Sequence, residues 1–237
     1  MGPRKSQHSA ATARAQLGYR ACMQPIVLCP TQYEASRVRR VTLANGAILK
    51  VIGVGCGCEK TLREVARAYA GERSVILTGI AGALGSHATI GAAFTAERVI
   101  DERGDTHLPY LLTHTTRIAL ACSRDVVIGS AACAALTQRT GAAMVDMESG
   151  PFARVAQEVG WHWHVLRGIS DNAAHELPEE VMRWLRLDGG TNYGNLAVDL
   201  LRKPRLWPQV YAMVRHANAA MRSVSTALHE TLERIAT

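Results

Sequence analysis

The sequence is poor in aromatic residues, in charge and in long apolar runs. Phe, Trp and Tyr make up 5% of the 237 residues, and charged residues make up 20%. No window approaches the roughly 18 apolar residues that span a bilayer, which argues against a transmembrane segment. So few aromatic side chains also argue against single-stranded nucleic-acid binding, which uses them as stacking platforms. Because 48% of the residues are apolar, we expect one globular domain with a substantial core. We expect no nucleic-acid partner.

Paired cysteines and cofactor motifs are also missing. The six cysteines lie in apolar surroundings without the paired spacing of a zinc site, which favours reduced thiols in a cytoplasmic protein. A metal at Cys56-Gly-Cys58 is the less favoured alternative, because it rests on a single C-x-C. The glycines of residues 53–57 lack the third glycine of a dinucleotide-binding fingerprint. The sequence therefore predicts neither a metal nor a cofactor.

Negative charge is absent from the first 22 residues. Their basic residues account for four of the net charge of +7 and leave +3 for the rest of the chain; they are Arg4, Lys5, Arg14 and Arg20. The segment also lacks the apolar stretch of a secretory signal. We predict a disordered basic arm over residues 1–22 and a single domain over residues 23–237.

Short runs rich in apolar and β-branched residues alternate with helical patterns. The runs are PIVLCPT, LKVIGVGCG, SVILTGIAG, DVVIGSA, AAMVDMES and WHVLRGISD. Apolar residues at helical spacing predict helices over Thr61–Ala70 and from Pro151 to Gly160. Apolar strands that alternate with helices are typical of a mainly parallel sheet covered on both faces. The predicted fold is a three-layer α/β/α domain with a mainly parallel, mixed central sheet and a C-terminal helical segment from about residue 176.

Carboxylic acids follow the ends of several of these predicted strands. Glu34 follows the first run, Glu148 follows AMVD, and Asp171 ends VLRGISD. Ligands bind at the carboxyl ends of the strands in such sheets, so we expect these groups to address one small molecule. Paired carboxyl groups suit cleavage of an N-glycosidic bond: one protonates the departing base, and another offsets the positive charge that develops on the sugar. Neither step needs a metal.

The motifs VDMES and VLRGISDNA, together with LTGIAGALG and the early P-T-x-x-E, resemble the purine nucleoside phosphorylase and nucleosidase superfamily. The resemblance covers most of residues 23–173 and is strongest to methylthioadenosine/adenosylhomocysteine nucleosidases. It implies the fold of the nucleoside phosphorylases, a small-molecule nucleoside as substrate, and a homodimer or larger homo-oligomer.

The resemblance also implies a role for each matching residue. Asp171 would be the acid at purine N7, oriented by Ser170 and Arg167. Glu148 would bind the ribose hydroxyls, and Glu34 would position or activate the attacking water. The other residues that would bind the substrate are Thr31, Ala81, Gly82, Val126, Val127, Met147 and Ala173.

Three positions depart from the family pattern. In S-R-D-V-V, Val127 replaces an aromatic residue, so that base stacking is weaker or comes from elsewhere, and Arg124 replaces a glycine. Ala92 stands where the family usually has aspartate. These changes leave open a binding protein that keeps the pocket without turnover, although the three carboxylic acids favour an enzyme.

The C-terminal part resembles a narrower group. ELPEEVMRWLRLDGG and the stretch from Leu200 to His229 are similar to the hopanoid-associated subgroup, which acts on adenosylhopane. That stretch has no acidic residue, and its apolar stripe either packs on the core or lies on an anionic membrane surface. The stripe comprises Leu206, Val210, Met213, Ala217, Met221 and Val224. The resemblance implies release of adenine from adenosylhopane, with peripheral contact at the inner membrane surface.

Two questions about the reaction stay open in the sequence. Methylthioadenosine/adenosylhomocysteine cleavage is the alternative to adenosylhopane, and phosphorolysis is the alternative to hydrolysis. A phosphorylase offers its phosphate an arginine or several backbone N–H groups, whereas residues 53–57 contain no arginine. Together with Glu34 this favours water, although Lys60, Arg63 or a residue of a partner subunit could serve.

Overall fold

The computed structural model describes residues 24–112, 114–173 and 177–236, apart from the side chain of Cys56. The predicted basic arm, residues 1–22, lies outside these ranges. The strands are β1 (Ile26–Cys29), β2 (Ile48–Val51), β3 (Ser74–Ala83), β4 (Ala93–Ile100), β5 (Thr106–His107), β6 (Arg117–Cys122), β7 (Met144–Asp146) and β8 (His162–Asp171). The helices are α1 (Gln32–Ala44), α2 (Cys58–Ala68), α3 (Ser130–Thr140), α4 (Ser149–Glu158), α5 (Val181–Trp184), α6 (Tyr193–Arg202) and α7 (Leu206–Ala236).

The strands form one mixed sheet that partly closes on itself. Their order is β2-β1-β3-β7-β6-β4-β5, and β8 pairs with both β3 and β4. The strands β3, β8, β4, β6 and β7 therefore form a closed ring, from which β1 with β2 and β5 extend. Among the described residues, pairing is antiparallel for β3–β7, β4–β5 and β4–β8 and parallel for the other five pairs. The predicted mainly parallel, mixed sheet is confirmed; its closure into a ring was not predicted.

Helices cover both faces of the open part of the sheet. Alternate residues of β1 point to opposite sides, as the two-residue period of a strand requires. Ile26 and Leu28 pack in one core with apolar residues of α2 and α4, and Val27 and Cys29 pack in a second core with α1 and α7. These three layers place the carboxyl ends of β1, β3 and β8 at one edge of the sheet.

The sequence patterns missed three strands, β4, β5 and β6, and one predicted strand is wrong. Residues of DVVIGSA form a loop that leads into α3, and both Val126 and Val127 are only partly buried there. Gly129, with φ of 90°, begins the turn into that helix. In β4 the charged residues Glu97 and Arg98 interrupt the apolar pattern, β5 has only two residues, and β6 is a short apolar run after Arg117. Pairing in the closed ring compensates for this weaker local signal.

The C-terminal helices form a smaller cluster beside the sheet. The N-terminal half of α7 packs Leu206, Val210 and Met213 against α5 and α6, and its second half packs Met221 and Val224 on the sheet. The apolar stripe identified in the sequence is therefore occupied by contacts within the protein. No helix in the described ranges is long and apolar enough to cross a membrane.

Candidate active site

Glu34 is held at the first turn of α1 by a reciprocal cap. Its Oε2 atom accepts hydrogen bonds from the backbone N–H of Thr31 (2.8 Å) and from Thr31 Oγ1 (2.7 Å), while Thr31 Oγ1 accepts from the N–H of Glu34. The other oxygen, Oε1, accepts from the N–H of Ile80 at 2.8 Å. This capping box fixes the carboxyl group against the end of β3. Burial raises the pKa of Glu34, although Arg167 and these hydrogen bonds lower it.

Gly79 allows Glu34 and Arg167 to approach each other. A Cβ atom at this position would lie 2.3 Å from Oε1 of Glu34 and 2.7 Å from Nη1 of Arg167. Both distances are shorter than any real contact of such an atom, so a side chain here would push one of the two groups away. The glycine therefore leaves room for the buried carboxyl group of Glu34 and the buried guanidinium of Arg167 to lie next to each other beside β3.

Arg167 is the cation at the centre of this site. It is fully buried on β8, and its Nε and Nη2 atoms donate to Oδ2 of Asp146. Nη2 also lies 3.5 Å from Oε2 of Glu148, while Nη1, beside Glu34, has no hydrogen-bond partner among the described residues. The expectation that Arg167 orients Asp171 is wrong, because its charge is shared among Glu34, Asp146 and Glu148.

Glu148 lies at the junction between β7 and α4. Its Oε1 atom accepts a hydrogen bond from the N–H of Gly55 at 2.8 Å. Burial and the negative charge of Asp146 raise the pKa of Glu148 to about 8, although Arg167 and the Gly55 N–H lower it. Asp146 in turn uses Oδ1 to accept hydrogen bonds from the N–H and Oγ of Ser149, and so orients the turn that carries Glu148.

Asp171 ends β8 on the neighbouring part of the same edge. In the sheet, Gly82 pairs with Asp171 on one side and with Val145 on the other. A Cβ atom on Gly82 would lie 2.9 Å from Oδ2 of Asp171, so the glycine leaves room for this carboxyl group. Ser170 Oγ donates to Oδ1 at 2.6 Å. Burial raises the pKa of Asp171, although Ser170 and the charge of His216 lower it.

A narrow cleft opens beside Asp171. Its empty volume is about 280 Å³, open solvent at the mouth included. Four of the residues proposed from the sequence line it, namely Gly82, Val127, Asp171 and Ala173. The patterns missed the remaining lining residues, which are Ala83, Ile128, Gly129, Cys133, Val145, Asn172 and Leu177. A flat base would meet aliphatic side chains here, since none of the described residues that line the cleft is aromatic.

The other residues proposed from the sequence have different surroundings. Met147 places its Cε atom 3.2 Å from where a Cβ of Gly55 would lie. Thr31 acts through Glu34 as its cap, Ala81 is buried in the core on β3, and Val126 does not line the cleft. The structure therefore brings Glu34, Arg167, Asp146 and Glu148 together and places Asp171 with the cleft next to them.

Solved structures with the same arrangement of elements establish the fold class, which is that of the nucleoside phosphorylases and nucleosidases. S-adenosylhomocysteine nucleosidase from Streptococcus pyogenes is 16% identical with a TM-score of 0.64, covering 90% of this chain and 97% of its own. Arabidopsis thaliana 5′-methylthioadenosine nucleosidase is 11% identical with a TM-score of 0.63, covering 90% and 96%. Futalosine hydrolase of Helicobacter pylori strain 26695 is 15% identical with a TM-score of 0.62, covering 90% and 98%.

A family model also matches part of the sequence. The family model of the phosphorylase superfamily matches residues 113–202, which include β6 to α6 with Glu148, Arg167 and Asp171. No curated protein matches the chain. These findings agree with the superfamily resemblance of the motifs, and the match to the hopanoid-associated subgroup stays a prediction.

Proposed function

We propose that this protein cleaves the N-glycosidic bond of an adenosine-type nucleoside and releases adenine. One observation carries the proposal: the carboxyl groups of Glu34 and Glu148 face one buried guanidinium, that of Arg167, at the strand ends next to Asp171 and its cleft. Buried carboxyl groups with raised pKa values in a concave site are typical of acid–base catalysis. The fold of known nucleosidases supports the same reaction.

Each carboxyl group suits one part of the reaction. Burial keeps Asp171 protonated to a higher pH than usual, so that it can donate a proton to the departing base. Glu148, once ionised, accepts hydrogen bonds from ribose hydroxyls and offsets the charge of the oxocarbenium-like sugar. Glu34 and the unpartnered Nη1 of Arg167 lie side by side and together offer an acceptor and a donor to an attacking water molecule.

The contacts of the glycine loop, which comprises residues 53–57, favour water over phosphate as the nucleophile. The N–H groups of four of its residues are engaged by oxygens of the protein, those of Gly53, Val54, Gly55 and Gly57. A phosphate dianion would need such N–H groups or a free cation. Arg63 instead donates to Glu59 and Glu158 on the surface, and Lys60 is exposed. Arg167 is outnumbered by three carboxylic acids, which further disfavours a dianion.

Adenosylhopane is the substrate that we propose within this class. The resemblance of residues 176–190 and 200–228 to the hopanoid-associated subgroup supports it. Methylthioadenosine, S-adenosylhomocysteine and futalosine are the alternatives, because structural neighbours are named for them. A catalytically silent nucleoside-binding protein is the alternative from another class.

A substrate panel tests the reaction and the substrate together. Release of the purine base from adenosylhopane and the alternative nucleosides, which is hypoxanthine for futalosine and adenine for the others, is measured with and without inorganic phosphate, and the sugar product is identified. We expect adenine and a free sugar without phosphate, most rapidly from adenosylhopane. Release that requires phosphate would contradict hydrolysis, and binding of nucleosides without any release would favour the silent binding protein. Light scattering in the same buffer tests the homodimer or larger homo-oligomer that we expect.

Peripheral membrane contact is proposed through the exposed face of α6 and α7. The stripe chosen from the sequence is buried against the protein, but other apolar side chains of these helices are exposed, including Leu201 (78%), Tyr211 (72%) and Trp207 (59%). Arg202 and Arg215 are exposed on the same helices, Arg205 is exposed in the turn between them, and no acidic residue occurs between residues 200 and 229. Exposed aromatic and basic side chains together suit an anionic lipid surface.

Vesicle binding tests this face. We expect the protein to co-sediment with anionic phosphatidylserine-containing vesicles at low salt, and a Trp207→Ser/Tyr211→Ser variant to lose most of that binding. Leu43→Ser is a matched control, because Leu43 is exposed on α1, which packs beside the second half of α7 and not beside Trp207 and Tyr211. Equal sedimentation of all three proteins, or none of the wild type, would contradict the proposed contact.

A further inference from the structure

A short hairpin between α5 and α6 contacts both loops that carry the candidate active site. Leu185 and Thr191 form an antiparallel bridge, and Arg186 N–H donates to the carbonyl of Gly190 at 2.9 Å. Asp188 closes the turn by accepting from the N–H of Gly190 at 3.0 Å. The preceding Trp184 is buried among the C-terminal helices. The buried Trp184 thus fixes the start of the 185–191 hairpin, and the hydrogen bond between Asp188 and Gly190 fixes its turn.

One side of the hairpin holds the start of α1. The N–H of Gln32 donates to the carbonyl of Gly189 at 2.9 Å. A Cβ atom on Gly189 would lie 2.3 Å from the carbonyl oxygen of Pro30 and 3.1 Å from Cα of Thr31, and its φ of 80° also favours glycine. Pro30, Thr31 and Gln32 form the turn whose cap fixes the carboxyl group of Glu34.

The other side of the hairpin holds the glycine loop. The N–H of Val54 donates to the carbonyl of Leu187 at 3.1 Å. Cβ atoms on Gly53 and Gly57 would lie 2.4 Å and 2.8 Å from the same oxygen. The next residue after Val54 is Gly55, whose N–H bonds to Glu148. Two loops distant in sequence therefore rest on consecutive parts of one seven-residue turn.

We propose that the 185–191 hairpin is a positioning element that holds the supports of Glu34 and Glu148 at a fixed separation during bond cleavage. The inference rests on the proposed function, and the hairpin residues act through the two loops without touching the reacting atoms. Misplacement of catalytic groups by about 1 Å is enough to lower a rate by roughly 10²-fold. A shift of the glycine loop also weakens the Gly55 N–H bond to Glu148.

The hydrogen bond from the Gly55 N–H to Glu148 can be followed through the pKa of Glu148. The ionisable groups that face this carboxyl group are Asp146 on β7, Glu34 on α1, Cys58 on α2 and Arg167 on β8. The Gly55 N–H favours the ionised form of Glu148, so its loss raises the pKa of Glu148 further. If catalysis requires ionised Glu148, the rise of activity with pH moves to higher pH when the loop shifts.

Three substitutions in the hairpin test the proposal. Gly189→Ala adds the atom that collides with Pro30, and Asp188→Ala loosens the exposed turn without adding an atom. Gly190→Ala is the control, because its Cβ would meet only exposed side chains of the hairpin itself, those of Arg186 and Asp188. Steady-state kinetics across pH and hydrogen exchange of the glycine loop are measured for each folded variant.

We expect Gly189→Ala to lower kcat by about tenfold or more with little change in KM, and Asp188→Ala to have a smaller effect of the same kind. In both variants the low-pH limb moves to higher pH and exchange over residues 53–57 becomes faster. Gly190→Ala, whose Cβ would lie 3.1 Å from Oδ1 of Asp188, should change exchange no more than Asp188→Ala does and less than Gly189→Ala does. Unchanged exchange in Asp188→Ala and in any folded Gly189→Ala would overturn the positioning role. A wild type without turnover would reject the proposed function, and the exchange result would still decide the role of the hairpin.

Discussion

Replacing Asp171 by asparagine is expected to slow adenine release by roughly 10²-fold or more, because the amide cannot transfer a proton to the departing base. Asparagine nearly preserves the size of the side chain beside Gly82, and it retains an oxygen that can accept the Ser170 hydrogen bond. The substitution therefore removes the acid with little disturbance of packing. Initial rates of adenine formation from the best substrate of the panel measure the effect.

The pH dependence gives this prediction a second measurement. Burial raises the pKa of Asp171, so the protonated form persists to higher pH than for an ordinary aspartic acid. The wild-type rate should then fall as pH rises through this raised pKa, while the residual rate of Asp171→Asn should lack that fall. Asp105→Asn is a suitable control, since Asp105 is exposed on the loop before β5. A rate of Asp171→Asn equal to that of the wild type would remove Asp171 as the acid.

The candidate carboxyl groups were predictable because each depends on local sequence. The P-T-x-x-E segment encodes a reciprocal cap in which Thr31 and Glu34 are only three residues apart, and Glu148 and Asp171 directly follow apolar strands. Strand ends that meet at one edge then bring such residues together. Local patterns were therefore sufficient to nominate Glu34, Glu148 and Asp171.

The partners of these groups were not predictable in the same way. Arg167 contacts Asp146 through the alignment of β7 and β8 on either side of β3, which follows from closure of the ring and not from local pattern. The loop before α3 carries two valines and so resembled a strand, although it has no strand partner. The hairpin contacts join residues more than 130 positions apart. Such contacts depend on the assembled fold.

Replacing Arg167 by methionine is expected to lower the free energy of unfolding by about 3–5 kcal/mol at neutral pH and to abolish measurable turnover. Methionine is similar in length but carries no charge, so it leaves the buried carboxyl groups of Glu34, Asp146 and Glu148 without their cation. Removing one partner of a buried ion pair costs about this much, because the other charge stays buried and uncompensated. Urea unfolding between pH 5 and pH 9 measures the loss.

The sign of the pH dependence distinguishes this cluster from an ordinary ion pair. The pKa of Glu148 is about 8 in the folded protein, so this group is largely protonated at pH 5, and burial also raises the pKa of Glu34. As pH rises through these folded values, the groups ionise, and only then does Arg167 stabilise their charges. The difference in stability between Arg167→Met and the wild type should therefore widen between pH 5 and pH 9.

Arg154→Met provides the matched comparison, because Arg154 pairs with Asp101 and Glu102 away from the site. Burial raises the pKa values of these two acids, but hydrogen bonds, among them those from Arg154, lower them below their ordinary values overall. Both acids are ionised in the folded and unfolded protein above about pH 5, so the destabilisation by Arg154→Met should stay nearly constant from pH 5 to pH 9. A constant difference for Arg167→Met as well would mean that Glu148 does not change its ionisation between pH 5 and pH 9, which would contradict its pKa of about 8.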